Sequence, residues 1–171
     1  MKKMNEEKLL KMAERICESR GVRLTSQRET VLRLIAQQHG AISAYDLLDL
    51  LREVEPQAKP PTVYRALEFL MEQSFIHKIE STNSYVICHH VDNPSHISVM
   101  LICDHCGSVE ESDCSAIEEA ILALAKENLF QLRHTVVENH GLCQACGEIA
   151  GCQDHEHCSH NHKQPLTIKK K

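Results

Sequence analysis

Two Cys-x-x-Cys-Gly runs, Cys103-Asp-His-Cys106-Gly and Cys143-Gln-Ala-Cys146-Gly, carry the clearest chemical signal in the chain. Each follows a stretch with the character of a β-strand. If those strands lie side by side, four thiolates converge. A tetrahedral thiolate site suits zinc(II), and a glycine after each second cysteine lets the backbone turn tightly around the sulfur. One C-x-x-C is also the pattern of a redox dithiol. Two of them with matching glycines point instead to a closed structural site, with zinc ahead of iron.

A second group of metal-ligating residue types is scattered: His77, Cys88, His96 and Glu111, with His89, His90, Asp92 and His105 as rival ligands close by. No two of the first four belong to one local motif, so spacing alone leaves the choice open. A lone histidine more often serves packing or the surface, and a solitary cysteine more often packs as a small hydrophobe. If the first four do act together, two imidazoles, a thiolate and a carboxylate suit zinc better than magnesium or manganese, and the site would clamp two modules. Further along, Cys152, His155, His157, Cys158, His160 and His162 crowd into a polar stretch. Such composition cannot form a core, and residues 151–171 read as a flexible Cys/His-rich tail, which could bind metal loosely but whose plainer reading is a mobile end with ligands that serve no defined site.

The whole chain bounds these readings. Its 171 residues are 42% hydrophobic and 25% charged, a globular composition, but low aromatic content and the lack of Trp imply thin cores that gain from a metal staple or a dimer partner. Nine cysteines occur without an apolar signal-peptide core at the start and without an apolar run of membrane-spanning length, so the expected location is the cytoplasm. There, regularly spaced cysteines serve metals or redox chemistry rather than structural disulfides. The net charge of −5 is unevenly spread: up to Asn83 there are 13 Lys+Arg against 12 Asp+Glu, and from Ser84 onward 6 against 12. The first part can bind DNA if its basic groups converge, whereas the acidic remainder would be repelled.

The elements that must position these groups follow from periodicity and punctuation. Asn5 with Glu6 and Glu7 opens a helix carrying Leu9, Ala13, Ile16 and Cys17 on one face, and Gly21 ends it. Thr25 or Ser26 caps a second helix burying Val31, Leu34 and Ile35. Ser43, with Asp46 three residues on, caps a third that buries Ala44, Leu47, Leu48 and Leu51 and leaves Asp49 and Arg52 as a solvated pair. A proline-rich connector is followed by a fourth helix with Val63, Ala66, Leu67, Leu70 and Met71 inward, so Tyr64, Arg65 and Glu68 point away from the core. Two β runs, 75–80 and 85–88, flank a turn. This order makes a winged helix, in which the second helix of the helix-turn-helix enters the major groove. Arg65 could then pair with guanine and Tyr64 and Thr62 fix a phosphate, with Tyr45, Arg28 and Lys59 as secondary candidates; the residues alone equally allow a Tyr64 packed at the core edge and a merely solvated Arg65. Beyond a linker at 92–94, strands at 97–103 and 108–111, a helix at 115–128 burying Ile117, Ile121 and Leu124, and a strand at 130–140 make a small α/β module.

Together, Thr62-Val-Tyr-Arg-Ala-Leu67, the Cys88-His-His90 region, His96 and the two knuckles resemble the ferric uptake regulator family over about residues 8 to 150. Residues 57–65, Asn83-Ser-Tyr-Val86 and Cys88 are similar to its zinc uptake regulator branch. The resemblance implies an α+β fold: a winged-helix DNA-binding domain at 1–83, a hinge at 84–95, and an α/β dimerisation and metal-binding domain at 96–150. It further implies a homodimeric zinc-responsive repressor of near-palindromic operator DNA that controls zinc uptake genes, with no membrane or small-molecule substrate and no catalytic residue. Two zinc ions per subunit are expected, a structural one on Cys103, Cys106, Cys143 and Cys146 and a regulatory one on His77, Cys88, His96 and Glu111. The alternatives are an iron, manganese or peroxide sensor of the same family and, further off, a thiol redox or zinc enzyme. The last would need an open coordination position or an activated nucleophile, and neither a Cys-Pro motif in the knuckles nor an H-E-x-x-H helix is present.

Overall fold

The computed structural model describes residues 6–38, 40–91, 93, 97–132 and 135–151, with side chains up to Glu148. The chain divides after residue 96 into two compact units. Among the described residues no helix is long and apolar enough to cross a membrane.

In the first unit four helices, α1 (Glu6–Ser19), α2 (Ser26–Ala36), α3 (Ala44–Val54) and α4 (Pro60–Glu72), pack with three strands, β1 (Ile42–Ser43), β2 (Ile76–Ile79) and β3 (Ser84–Ile87). The strands form an antiparallel sheet in the order β1-β3-β2. Asn83, at a positive φ of 49°, closes the β2–β3 turn in a conformation that asparagine tolerates better than most residues. One apolar cluster holds the unit together, and Leu32, Leu47, Leu51, Leu67, Leu70 and Phe75 are fully buried in it. Each such side chain contributes about 1.5–3 kcal/mol relative to exposure. In α2 the inward stripe is Val31, Leu32 and Ile35, while Leu34 sits at its edge, half-buried.

Two local signals place the DNA-reading candidates. Ser43 accepts from the amide of Asp46 at 3.1 Å, satisfying an orphan donor at the start of α3. At α4 the prolines lie inside the helix, at its first two positions, rather than before it. Their missing N–H groups would be unsatisfied there anyway, and their fixed φ already fits the helix.

The boundary expected at residue 83 is displaced. β3 starts at Ser84 and hydrogen-bonds on both edges, to β1 and to β2, so a hinge at 84–95 would cut through the sheet. The short β1 carried no sequence signal beyond two residues of suitable type.

The second unit contains β4 (Ser98–Cys103), β5 (Val109–Ser112), α5 (Ser115–Glu127), β6 (Val136–Gly141) and α6 (Gln144–Gly151). Its sheet has the order β5-β4-β6, with β5 antiparallel and β6 parallel to the central strand. A parallel pair cannot be closed by a tight turn, and α5 lies in the crossover. The strand expected at 130–140 is shorter and later, and α6 was not anticipated, its pattern being hidden behind the cysteines. The expected burial of Ile117, Ile121 and Leu124 is also corrected. Ile117 and Ile121 are half-buried, Leu124 is 61% exposed, and Ala125 is the buried residue of α5. Gly151 apart, the tail lies outside the described residues.

Replacing Ser43 by Ala removes the α3 cap and should lower stability by about 1 kcal/mol. Urea unfolding checks this. An unchanged midpoint would mean that solvent or another group already satisfies the Asp46 amide.

Candidate metal centre and nucleic-acid interface

The four knuckle cysteines are brought together by the second unit's sheet. Cys103 ends β4 and stands in register with Gly141 at the end of β6, two residues before Cys143. The Asp104 amide donates to the Gly141 carbonyl at 2.8 Å, carrying the parallel pairing into the knuckles. Gly107 has a φ of +71°, and its amide donates to the Cys103 carbonyl at 2.9 Å, so the first knuckle needs its glycine. The second does not turn this way. Gly147 lies within α6, its amide donating to the Cys143 carbonyl at 2.8 Å, and the turn there is a helical one.

The sulfurs of Cys103, Cys106, Cys143 and Cys146 all lie within 4.8 Å of one another, and those of Cys106 and Cys143 are 3.8 Å apart. A tetrahedron with Zn–S bonds of ~2.3 Å has S–S edges of about 3.8 Å, so the cluster has the size of a tetrathiolate zinc site. Its electrostatics are unequal. Burial raises the Cys103 thiol, but the amides of Cys106, Cys143 and His105 outweigh it and bring the group down to about 6. The Ser108 hydroxyl, 3.2 Å from the Cys106 sulfur, and the Ser108 amide hold that thiol below its ordinary value. Cys146 is pushed up to about 12 by burial and by the neighbouring sulfurs. Amide dipoles thus stabilise negative charge at one corner while crowding retains a proton at another, an imbalance that a dication among the sulfurs would relieve.

The second ligand group has members in each unit's sequence. In the first, His77 on β2 faces Val86 of β3 in register, and Cys88 extends the hairpin with its amide donating to Phe75 at 3.0 Å. Both are buried, and a ring nitrogen of His77 lies within 4.8 Å of the Cys88 sulfur. In the second, Glu111 on β5 is buried, and its Oε1 accepts from the Ser98 hydroxyl at 3.0 Å. His96 lies outside the described residues. Ser98 and Ser108 were not picked out from the sequence: strand pairing brings Ser98 to Glu111, whereas Ser108 stands two residues after Cys106 and was a local signal passed over.

The first unit also presents the candidate nucleic-acid face. Tyr45, in the first turn of α3, is 74% exposed, Tyr64 is 46% exposed, Arg65 and Lys59 are exposed, and Thr62 is half-buried. Val63, Ala66, Leu67 and Leu70 are buried, as the helical period requires. The first turn of α4 carries no acidic residue and no side-chain cap, so the positive end of its dipole is not neutralised. Arg28 is placed differently. It is half-buried, with its guanidinium carbon 3.6 Å from the centroid of the Phe69 ring. Asp49 and Arg52 form the expected exposed pair on α3, at 3.6 Å.

The pattern of the ferric uptake regulator family matches residues 19–140. The zinc uptake regulation protein of Escherichia coli (strain K12) is 58% identical over all 171 residues, covering 100% of this chain and 99% of that protein. A solved zinc uptake regulator complexed with zinc and DNA is 60% identical, with a TM-score of 0.83, covering 87% of this chain and 99% of its own. A second, holo XcZur, is 45% identical with a TM-score of 0.75, covering 81% and 96%. With the family pattern matched over residues 19–140 and a relative 58% identical over the full length, the chain belongs to the ferric uptake regulator family.

Proposed function

We propose that this protein is a zinc-responsive transcriptional repressor that binds operator DNA as a zinc-loaded homodimer and controls zinc uptake genes. The observation that carries this reading is the end-to-end match, at 58% identity, to a zinc uptake regulation protein. The size of the thiol cluster and the exposed Tyr64 and Arg65 on α4 support it independently.

Two zinc ions per subunit are assigned. Cys103, Cys106, Cys143 and Cys146 would hold the structural one, and His77, Cys88, His96 and Glu111 the regulatory one. Zinc supplies a tetrahedral cationic centre that holds thiolate, imidazole and carboxylate groups in a fixed relation. The thiols must lose their protons for this, so loading releases protons, and affinity at the cysteine cluster rises with pH as the last proton leaves Cys146. The thiolate of Cys88 favours zinc over iron or manganese in the second set. Its ligands come from both the DNA-reading and the dimerising parts of the sequence, so ligation and DNA binding are coupled, each tightening the other.

DNA contact is assigned to Arg65 at a guanine edge, Tyr64 and Thr62 at phosphates, and Tyr45 and Lys59 at flanking positions. Dimerisation is assigned to the second unit, where Leu122, Leu124, Leu129 and Phe130 are exposed. An apolar set of this kind is what a second copy would cover.

The test is binding of a duplex, selected by the protein from a randomised pool, against buffered free zinc with manganese and ferrous iron as controls. Tight binding that appears with zinc alone is expected, and binding indifferent to zinc would overturn the reading. Cys88→Ser should abolish zinc-dependent binding in a still-folded dimer; a mutant that binds as wild type removes Cys88 from the regulatory set. Cys103→Ser should instead lose one zinc per subunit and impair folding or dimerisation, seen by metal analysis and sedimentation. Arg65→Ala should lose about 1–3 kcal/mol of discrimination at one base pair, and an unaltered base preference would reassign it.

A further inference from the structure

We infer that Arg28 is a positioning residue for the DNA-reading helix, setting the rotation of α4 through Phe69 rather than contacting DNA itself. The inference rests on the DNA-binding role proposed for α4.

Arg28 stands in the first turn of α2, where its amide donates to the Thr25 cap at 3.5 Å. Its guanidinium is committed on two sides. One face covers the Phe69 ring at 3.6 Å, and Nη1 donates to the Arg23 carbonyl at 2.6 Å. Phe69 is only 7% exposed, so part of this contact is shielded from water, where a cation over a ring gains most. Together the two contacts fix both the position and the plane of the guanidinium.

The place of Phe69 gives the contact its consequence. Phe69 follows Arg65 by four residues and therefore lies one turn further along almost the same face of α4. A grip on the ring fixes the helix against rotation about its axis, and with it the direction in which Arg65 leaves the helix. A second arginine acts one turn further on: Arg20 Nη1 donates to the Gln73 carbonyl at 2.7 Å and to its Oε1 at 3.1 Å, at the C-cap of α4. The helix is thus held over its last two turns, while its N-terminal half presents Thr62, Tyr64 and Arg65. Lysine would keep the charge of Arg28 but not its planar stacking or its simultaneous bond to Arg23.

The experiment measures binding of the wild type, Arg28→Ala, Arg28→Lys, Phe69→Leu and the Arg28→Ala/Phe69→Leu double variant. The probe is the duplex that zinc-loaded wild type selects, titrated over a range of salt, with thermal melting of each protein as the folding control. Arg28→Ala and Phe69→Leu should each weaken binding about tenfold, the double variant should be no worse than either, and Arg28→Lys should resemble Arg28→Ala. The salt slope should stay at its wild-type value in all of them. A slope reduced by about 0.9 in Arg28→Ala, with wild-type binding by Arg28→Lys, is the behaviour of a direct phosphate contact and would overturn the inference. So would undiminished binding by a folded Phe69→Leu. If the wild type selects no duplex at all, the repressor reading itself fails, and that outcome is visible before any variant is made.

Discussion

Six residues of β4 run parallel to six of β6, and the register that sets Cys103 against Gly141 decides where both cysteine pairs fall. A slip by one residue would turn alternate side chains to the opposite face and separate the sulfurs. The register is reinforced where it matters, by the amide of Asp104 on Gly141 and by the amide of Cys143, 3.3 Å from the Cys103 sulfur. Four crowded sulfurs, two of them favouring the thiolate and one retaining its proton, make the sheet and the metal site interdependent. The core of this unit is thin, α5 burying only Ala125, and a core of that kind gains from a metal staple.

The first unit solves a different problem, that of holding a helix firmly while leaving half of it exposed. Its aliphatic core grips one side of α4 through Val63, Ala66, Leu67 and Leu70. Packing of this kind is dense but chemically uniform, and it tolerates small rotations better than directional contacts do. Arg20 and Arg28 add the directional contacts, one at the end of the helix and one on the ring of Phe69. The prolines at its start supply rigidity at the opposite end.

Much of the fold was legible because its determinants are local. Caps at Thr25 and Ser43, helical spacing in α1 to α4 and the turn at Asn83 are set by neighbours a few residues apart. Where expectation and structure part, the cause is non-local. Leu124 was assigned to a core by periodicity, yet an amphipathic stripe looks the same whether its cover is the chain's own sheet or a second copy. Gly147 matched Gly107 in sequence but stands in a helix, because the chain after Cys146 is free to coil where the chain after Cys106 must return as β5.

The sequence by itself determined the cysteine pairs and their tetrahedral chemistry, the winged-helix order of elements and the outward side of α4, since each depends on residue type at short spacing. Tertiary structure alone decided that β6 runs parallel to β4, that Ser98 meets Glu111 and that Arg28 lies over Phe69. These contacts join residues between 13 and 41 positions apart, where no periodicity reaches and only the packed chain chooses the partner.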